Sequence, residues 1–217
     1  MQSVDSHAHI FDLNQPMLDE RRYTPPRDAA LAQYLAMLDA NGIARGVLVQ
    51  PSFLGTDNSF MVQALREHPQ RLRGIAVVEP GISDAALDSL ATAGVSGIRL
   101  NLVGRPLGDF GGHRWRALFA SLASRNWQVE IHRQAADLAQ VIPALLAAGV
   151  QKIVVDHFGR PDPILGIGDP GFRYLLTLGG SRRVWVKLSG AYRNGERGDA
   201  IARDAVPLLR QSFGLER

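Results

Sequence analysis

Seven short runs, mostly apolar and rich in β-branched residues, recur along the chain, separated by longer amphipathic stretches. They are 3–7, 46–50, 74–78, 97–101, 128–132, 152–156 and 184–188. Runs that are apolar almost throughout mark strands buried on both faces of a parallel sheet. Between them, Leu31, Leu35 and Leu38 recur at helical spacing, and helical patterns follow over 59–68, 84–93, 113–125, 134–148, 171–178 and 199–213. Three of these stretches close on one phrase: Asn41-Gly42-Ile43, Ala93-Gly94-Val95 and Ala148-Gly149-Val150. Glycine stops the helix, and a β-branched residue leads towards the next strand. No linker or shift in composition divides the chain, so seven βα units in one domain over residues 1–217 are expected. Repeated βα units point to a parallel α/β fold.

Two parallel architectures compete. An open doubly wound sheet usually carries a glycine-rich phosphate loop after its first strand. Here that position holds His7-Ala8-His9. Polar residues instead gather where strand after strand ends: His7 and His9, Gln50 and Ser52, Glu79, Arg99 and Asn101, His132, His157, Lys187 and Ser189. In a TIM-type (β/α)8 barrel those ends ring one pocket. The barrel is therefore the predicted fold. Such a barrel typically takes about 250 residues, and seven units are present in 217. The eighth strand and last helix are expected to be missing at the C-terminus. Open strand edges invite association, so the shortened chain is expected either to be unstable alone or to pair the gap with another segment, as in a homo-oligomer.

Composition narrows the function. The chain is 46% hydrophobic, too apolar for disorder. No apolar run nears the roughly 18 residues that span a bilayer, so no membrane partner is expected. The start, Met1-Gln2-Ser3-Val4-Asp5, does not read as a secretory signal. The absence of cysteine excludes disulfides, thiolate catalysis and Cys-ligated zinc, and agrees with a cytoplasmic location. A net charge of +3 with only isolated basic pairs gives no reason to expect a nucleic-acid partner.

Histidine is the first chemical signal. His7 and His9 are two apart on an extended segment, so both face one side. Two imidazoles there can bind a metal or polarise a carbonyl. Asp5 shares that face one step deeper and reads as a carboxylate fixing the first strand. Four of the six histidines, His7, His9, His132 and His157, fall at predicted strand ends. Asp156 alternates with His157 and is expected to face away and pair elsewhere. Arginine is the second signal. Arg99, Arg105, Arg160 and Arg193 lie at or beyond strand ends. Arginine suits bidentate recognition of carboxylates, so the four suggest an acidic substrate. Arg105 alone reads as a surface residue, whereas Arg99 interrupts an apolar strand and requires a partner. Ser52 and Thr56 can add neutral hydrogen bonds, and Asp57 or Asn58 can cap a helix.

The segments Val4-Asp5-Ser6-His7-Ala8-His9-Ile10-Phe11, Tyr23-Thr24-Pro25, Val49-Gln50-Pro51-Ser52, Gly97-Ile98-Arg99-Leu100-Asn101, Val155-Asp156-His157-Phe158-Gly159-Arg160-Pro161 and Trp185-Val186-Lys187-Leu188-Ser189-Gly190-Ala191-Tyr192-Arg193 resemble the amidohydrolase superfamily. They are most similar to its branch of pyrone-dicarboxylate hydrolases and related lactonases. The resemblance implies hydrolysis of a small carboxylated lactone such as 2-pyrone-4,6-dicarboxylate. It implies His7, His9 and His157 around the lactone carbonyl. Arg99, Arg105, Arg160 and Arg193 would hold the carboxylates, with Ser52 and Tyr23 assisting. It leaves open whether no cofactor is required or one divalent metal, zinc or manganese, is held by His7, His9, His132 and His157.

The resemblance also carries a departure. The superfamily places a water-activating aspartate at the end of the eighth strand, in a segment like Gly-Ser-Asp-Trp-Pro, and these 217 residues contain no such segment. Glu79 and Glu130 do not match its place. Activity of the 217-residue chain is therefore in question at this level. Two other readings remain: a zinc-dependent decarboxylase or other hydrolase of the same branch, and a non-catalytic small-acid binding protein on a degenerate barrel.

Overall fold

The computed structural model describes residues 3–214. Met1, Gln2 and Leu215–Arg217 lie outside the described residues, and part of what was expected of the two chain ends falls on them. The chain forms two compact units, Met1–Arg99 and Leu100–Arg217.

The first unit alternates strand and helix: β1 (Val4–Ala8), α1 (Leu31–Ala40), β2 (Arg45–Val49), α2 (Ser59–Glu67), β3 (Leu72–Ala76), α3 (Asp84–Thr92) and β4 (Val95–Asn101), whose last two residues pass into the second. All neighbouring strands are parallel, with Val4 opposite Arg45, Gly46 opposite Leu72 and Gly74 opposite Val95. Register shifts between Asp5 and Ala8, just where the first histidine stands. The core is made by Leu38, Leu48, Leu65, Leu72, Ile75 and Ile98, all inaccessible to solvent. Each such side chain contributes about 1.5–3 kcal/mol of burial.

The second unit holds α4 (His113–Ser124), β5 (Gln128–His132), α5 (Leu138–Ala147), β6 (Lys152–Val155), α6 (Pro170–Thr177), β7 (Val184–Val186) and α7 (Gly198–Phe213). β5 pairs with β6 and β6 with β7, again parallel. Val129, Ile131, Ile153, Val155 and Val184 on the strands, and Phe119, Leu138, Val141, Leu145, Phe172 and Leu175 on the helices, are all fully buried. Within each unit this parallel order is what the expected barrel architecture requires. Every predicted strand and helix is present in some form. The three glycine stops adopt left-handed backbone, with φ of 63° at Gly42, 103° at Gly94 and 87° at Gly149.

Several boundaries differ from expectation by a few residues, and two of them have a clear local reason. β3 stops at Ala76 rather than Val78, because the Asn58 side chain takes over both backbone groups of Val77. Its amide donates to the Val77 carbonyl at 2.9 Å, and its oxygen accepts from the Val77 N–H at 3.0 Å. Asn58 thus sits at the start of α2 without capping it, and Asp57 accepts from the Ser59 N–H instead. α5 begins at Leu138 rather than Gln134, because the Ala135 N–H donates to the Arg160 carbonyl at 3.0 Å. Among the described residues, no helix is long and apolar enough to cross a membrane.

Candidate active site

In the first unit the site residues hang from the ends of β1, β2 and β4. The His7 and His9 rings meet edge to face, with centroids 4.9 Å apart. His9 Nδ1 lies 2.6 Å from the carbonyl of Val49, the last residue of β2. A carbonyl only accepts, so Nδ1 carries the proton and, in the neutral ring, Nε2 keeps its lone pair. Asp5 fixes β1, as expected. One of its oxygens accepts from the His7 N–H at 3.2 Å, and the other from the Tyr34 hydroxyl at 3.1 Å. Burial, reinforced by the Asp5 charge and hydrogen bond, pushes the Tyr34 phenol well above its ordinary range.

Arg99 is buried in β4. Ser52 starts a short 3₁₀ turn after β2, and its hydroxyl accepts from Arg22 at 3.4 Å. Tyr23 is exposed and packs edge-on against Phe53, the residue after Ser52. Buried Gln50 is structural: its amide donates to the Asp57 carbonyl at 2.7 Å and ties down the loop after β2.

In the second unit β5 carries Glu130 and His132, two apart and both buried. Lys187, just past β7, donates to Glu130 at 2.7 Å and lies 3.5 Å from the Asp156 carboxylate. This corrects one expectation. Asp156 does not pair away from the other polar strand ends, because it shares its ammonium with Glu130. Sequence reading missed this buried group, although Glu130 interrupts an apolar strand just as Arg99 does.

After β6 the chain makes one left-handed turn. His157, Phe158, Gly159 and Arg160 all have positive φ, of 53°, 59°, 77° and 49°. The turn is closed by Gly159 N–H donating to Asp156 and Arg160 N–H donating to His157, both at 3.0 Å. It packs the His157 ring edge to face against His132, with centroids 5.3 Å apart. It also sets Arg160 Nη1 3.1 Å from His132 Nε2. A guanidinium only donates, so His132 accepts at Nε2. That nitrogen is engaged by a cation-bearing group. His157 Nδ1 lies 3.2 Å from the Ser189 hydroxyl.

Arg193 is on the 3₁₀ turn Ala191–Asn194, with its guanidinium 5.3 Å from the Tyr192 ring centre and its Nε buried. Arg105 is exposed in the loop after β4. That loop is pinned by Arg133, which sequence reading did not single out. Arg133 donates to the carbonyls of Leu102 and Arg105, and pairs with Asp137 at 2.5 Å. The structure therefore brings His7 to His9 in one unit, and His132, His157, Arg160 and Ser189 into one cluster in the other.

Parallel strands whose C-terminal ends carry histidines, with arginines beside them, define a class that comparison identifies. The chain belongs to the amidohydrolase family, whose model matches residues 4–217. It is thus an enzyme of a hydrolase family. The 2-pyrone-4,6-dicarboxylate hydrolase of Comamonas testosteroni is 36% identical over 221 residues, covering 96% of this chain and 71% of that protein. The 4-sulfomuconolactone hydrolase of Rhizobium radiobacter is 32% identical over 213 residues, covering 94% of this chain and 66% of that protein. A Pseudomonas putida structure assigned as a 2-pyrone-4,6-dicarboxylic acid hydrolase is 46% identical, with a TM-score of 0.90 over 100% of this chain and 80% of that one.

Proposed function

We propose that this protein opens the lactone ring of a small anionic substrate, with 2-pyrone-4,6-dicarboxylate as the foremost candidate. The observation that carries this reading is the cluster after β6. An arginine fork, aimed by His132, stands beside a buried imidazole. Anion recognition and carbonyl chemistry are thereby held on one short turn. The two curated relatives support it, since both are named for hydrolysis of a lactone that carries anionic groups.

In the proposed reaction, water adds to the lactone carbonyl and the ring C–O bond then breaks. The ring oxygen takes a proton and leaves as an enol or hydroxyl, and the carbonyl becomes a carboxylate. His7 and His157 serve the carbonyl oxygen, where negative charge develops; His9, whose Nδ1–H is committed to the Val49 carbonyl, joins them as a donor only as the imidazolium. Arg99, Arg105, Arg160 and Arg193 hold the carboxylates, and Ser52 and Tyr23 add hydrogen bonds. The family pattern gives the attacking water to an aspartate in a Ser-Asp-Trp-Pro-like segment. Residues 1–217 form one working domain in this reading, and the cytoplasm is its expected location.

The donor set gives a divalent cation a partial fit. His9, with Nδ1 committed to a backbone carbonyl, presents Nε2 in the manner of a metal-ligating histidine. His7, whose ring meets His9 edge to face, is a second candidate, and the resemblance adds His132 and His157. A bound zinc or manganese ion would polarise the lactone carbonyl.

The test is hydrolysis of 2-pyrone-4,6-dicarboxylate, 4-sulfomuconolactone and several sugar lactones. It uses the protein with and without chelator. Turnover of an anionic lactone, lost in His157→Asn, is expected. Inactivity of the protein on every lactone overturns the proposal.

A further inference from the structure

We propose that Ser189 is a positioning residue, which sets the nitrogen of His157 that carries the proton. The inference rests on the assignment of His157 to the lactone carbonyl, but its first readout does not.

The segment after β7 is built around the His157 ring. The Lys187 N–H donates to the Val155 carbonyl, and the Phe158 N–H donates to the Lys187 carbonyl, both at 2.9 Å. These two bonds lock the chain end of β7 to the turn that bears His157. Two residues on, the Ser189 hydroxyl lies 3.2 Å from His157 Nδ1. Gly190 then passes close to the same nitrogen. Its φ is 64°, and a Cβ there would lie 2.6 Å from Nδ1 and 3.1 Å from Cε1 and Cγ. Any other residue at 190 would clash with the ring, so that ring or backbone must shift, and would be strained at this φ.

A hydroxyl can donate or accept, but an imidazole nitrogen does only one of these in a given tautomer. When Ser189 donates to Nδ1, the ring proton sits on Nε2. That is the donor a developing oxyanion needs. When Nδ1–H donates to Ser189 instead, Nε2 presents a lone pair. The oxyanion role given to His157 requires the first arrangement. In this proposal Ser189 acts as the donor in that contact and so selects it, and Gly190 is the space that permits it.

The experiment uses protein labelled with ¹⁵N-histidine, with the His157 signals identified by their loss in His157→Asn. In Ser189→Ala, the ¹⁵N pattern of His157 should move away from an Nε2–H tautomer. Lactone turnover should fall about ten- to a hundredfold in kcat, while KM changes far less. Ser189→Thr keeps a hydroxyl and should restore both readouts, and Gly190→Ala should reproduce the loss. An unchanged ¹⁵N pattern in Ser189→Ala overturns the inference. So does a changed pattern with undiminished kcat. A native protein that turns over no lactone, yet shows the tautomer shift in Ser189→Ala, upholds the positioning role and removes the functional reading instead.

Discussion

The Arg160 guanidinium donates to an imidazole nitrogen, a contact that orients the fork without neutralising it. Lysine at this position keeps the charge but loses the planar fork. We expect Arg160→Lys to raise KM for a dicarboxylate lactone about tenfold or more, with a smaller effect on kcat, in steady-state assays. Tyr34 shows the same logic at a structural position. Its phenol is raised above the ordinary value of 10.0 by burial and by Asp5. The folded state therefore holds that proton more tightly than the unfolded chain. The resulting stability is fully present below the unfolded value and is lost as pH rises through the folded one. Denaturant midpoints of the native protein should fall as pH climbs above about 10, and those of Tyr34→Phe should fall less. An equal pH slope in both proteins would show that Tyr34 does not carry the effect. Single residues also show what sequence reading could reach. Arg99 and the strand-end histidines were legible because polar groups interrupt apolar runs. The Glu130–Lys187–Asp156 group was not, because it depends on which side chains meet across β5, β6 and β7.

At the scale of elements, periodicity and glycine stops located nearly every strand and helix. What they could not supply was the end of an element set by a distant group, as at the Asn58 side chain on β3 or the Arg160 carbonyl before α5. The start of α6, by contrast, is set by its own N-cap. Buried Asp169 accepts from the Gly171 N–H at 2.6 Å, and its other oxygen accepts from the Asp162 N–H at 2.6 Å. One carboxylate thus caps the helix and anchors the loop after the left-handed turn. Asp169→Ala should cost about 1–3 kcal/mol, measured as a lower Tm. Asp169→Asn, which keeps an acceptor for the cap, should lose less. If both variants melt with the native protein, the cap contributes nothing to stability.

At the scale of the whole molecule, 24 basic side chains against 21 acidic ones give only a small net charge. Attraction of a dicarboxylate must therefore come from local arginines rather than from the overall field. The Debye length falls from about 10 Å at 0.1 M salt to about 3 Å at 1 M. KM for an anionic lactone should rise over that range, while KM for a neutral sugar lactone stays nearly flat. Parallel increases for both would show that the arginines do not act through charge. The left-handed turn has a different consequence, for tolerance to change. Backbone at positive φ is penalised by about 1–2 kcal/mol for each residue with a side chain, and β-branched side chains suffer most there. His157, Phe158 and Arg160 all carry this conformation. A library of all substitutions, selected only for folding, should therefore be depleted of valine, isoleucine and threonine at these three positions, whatever becomes of catalysis. The turn would leave its imprint on the permitted alphabet before any substrate is involved.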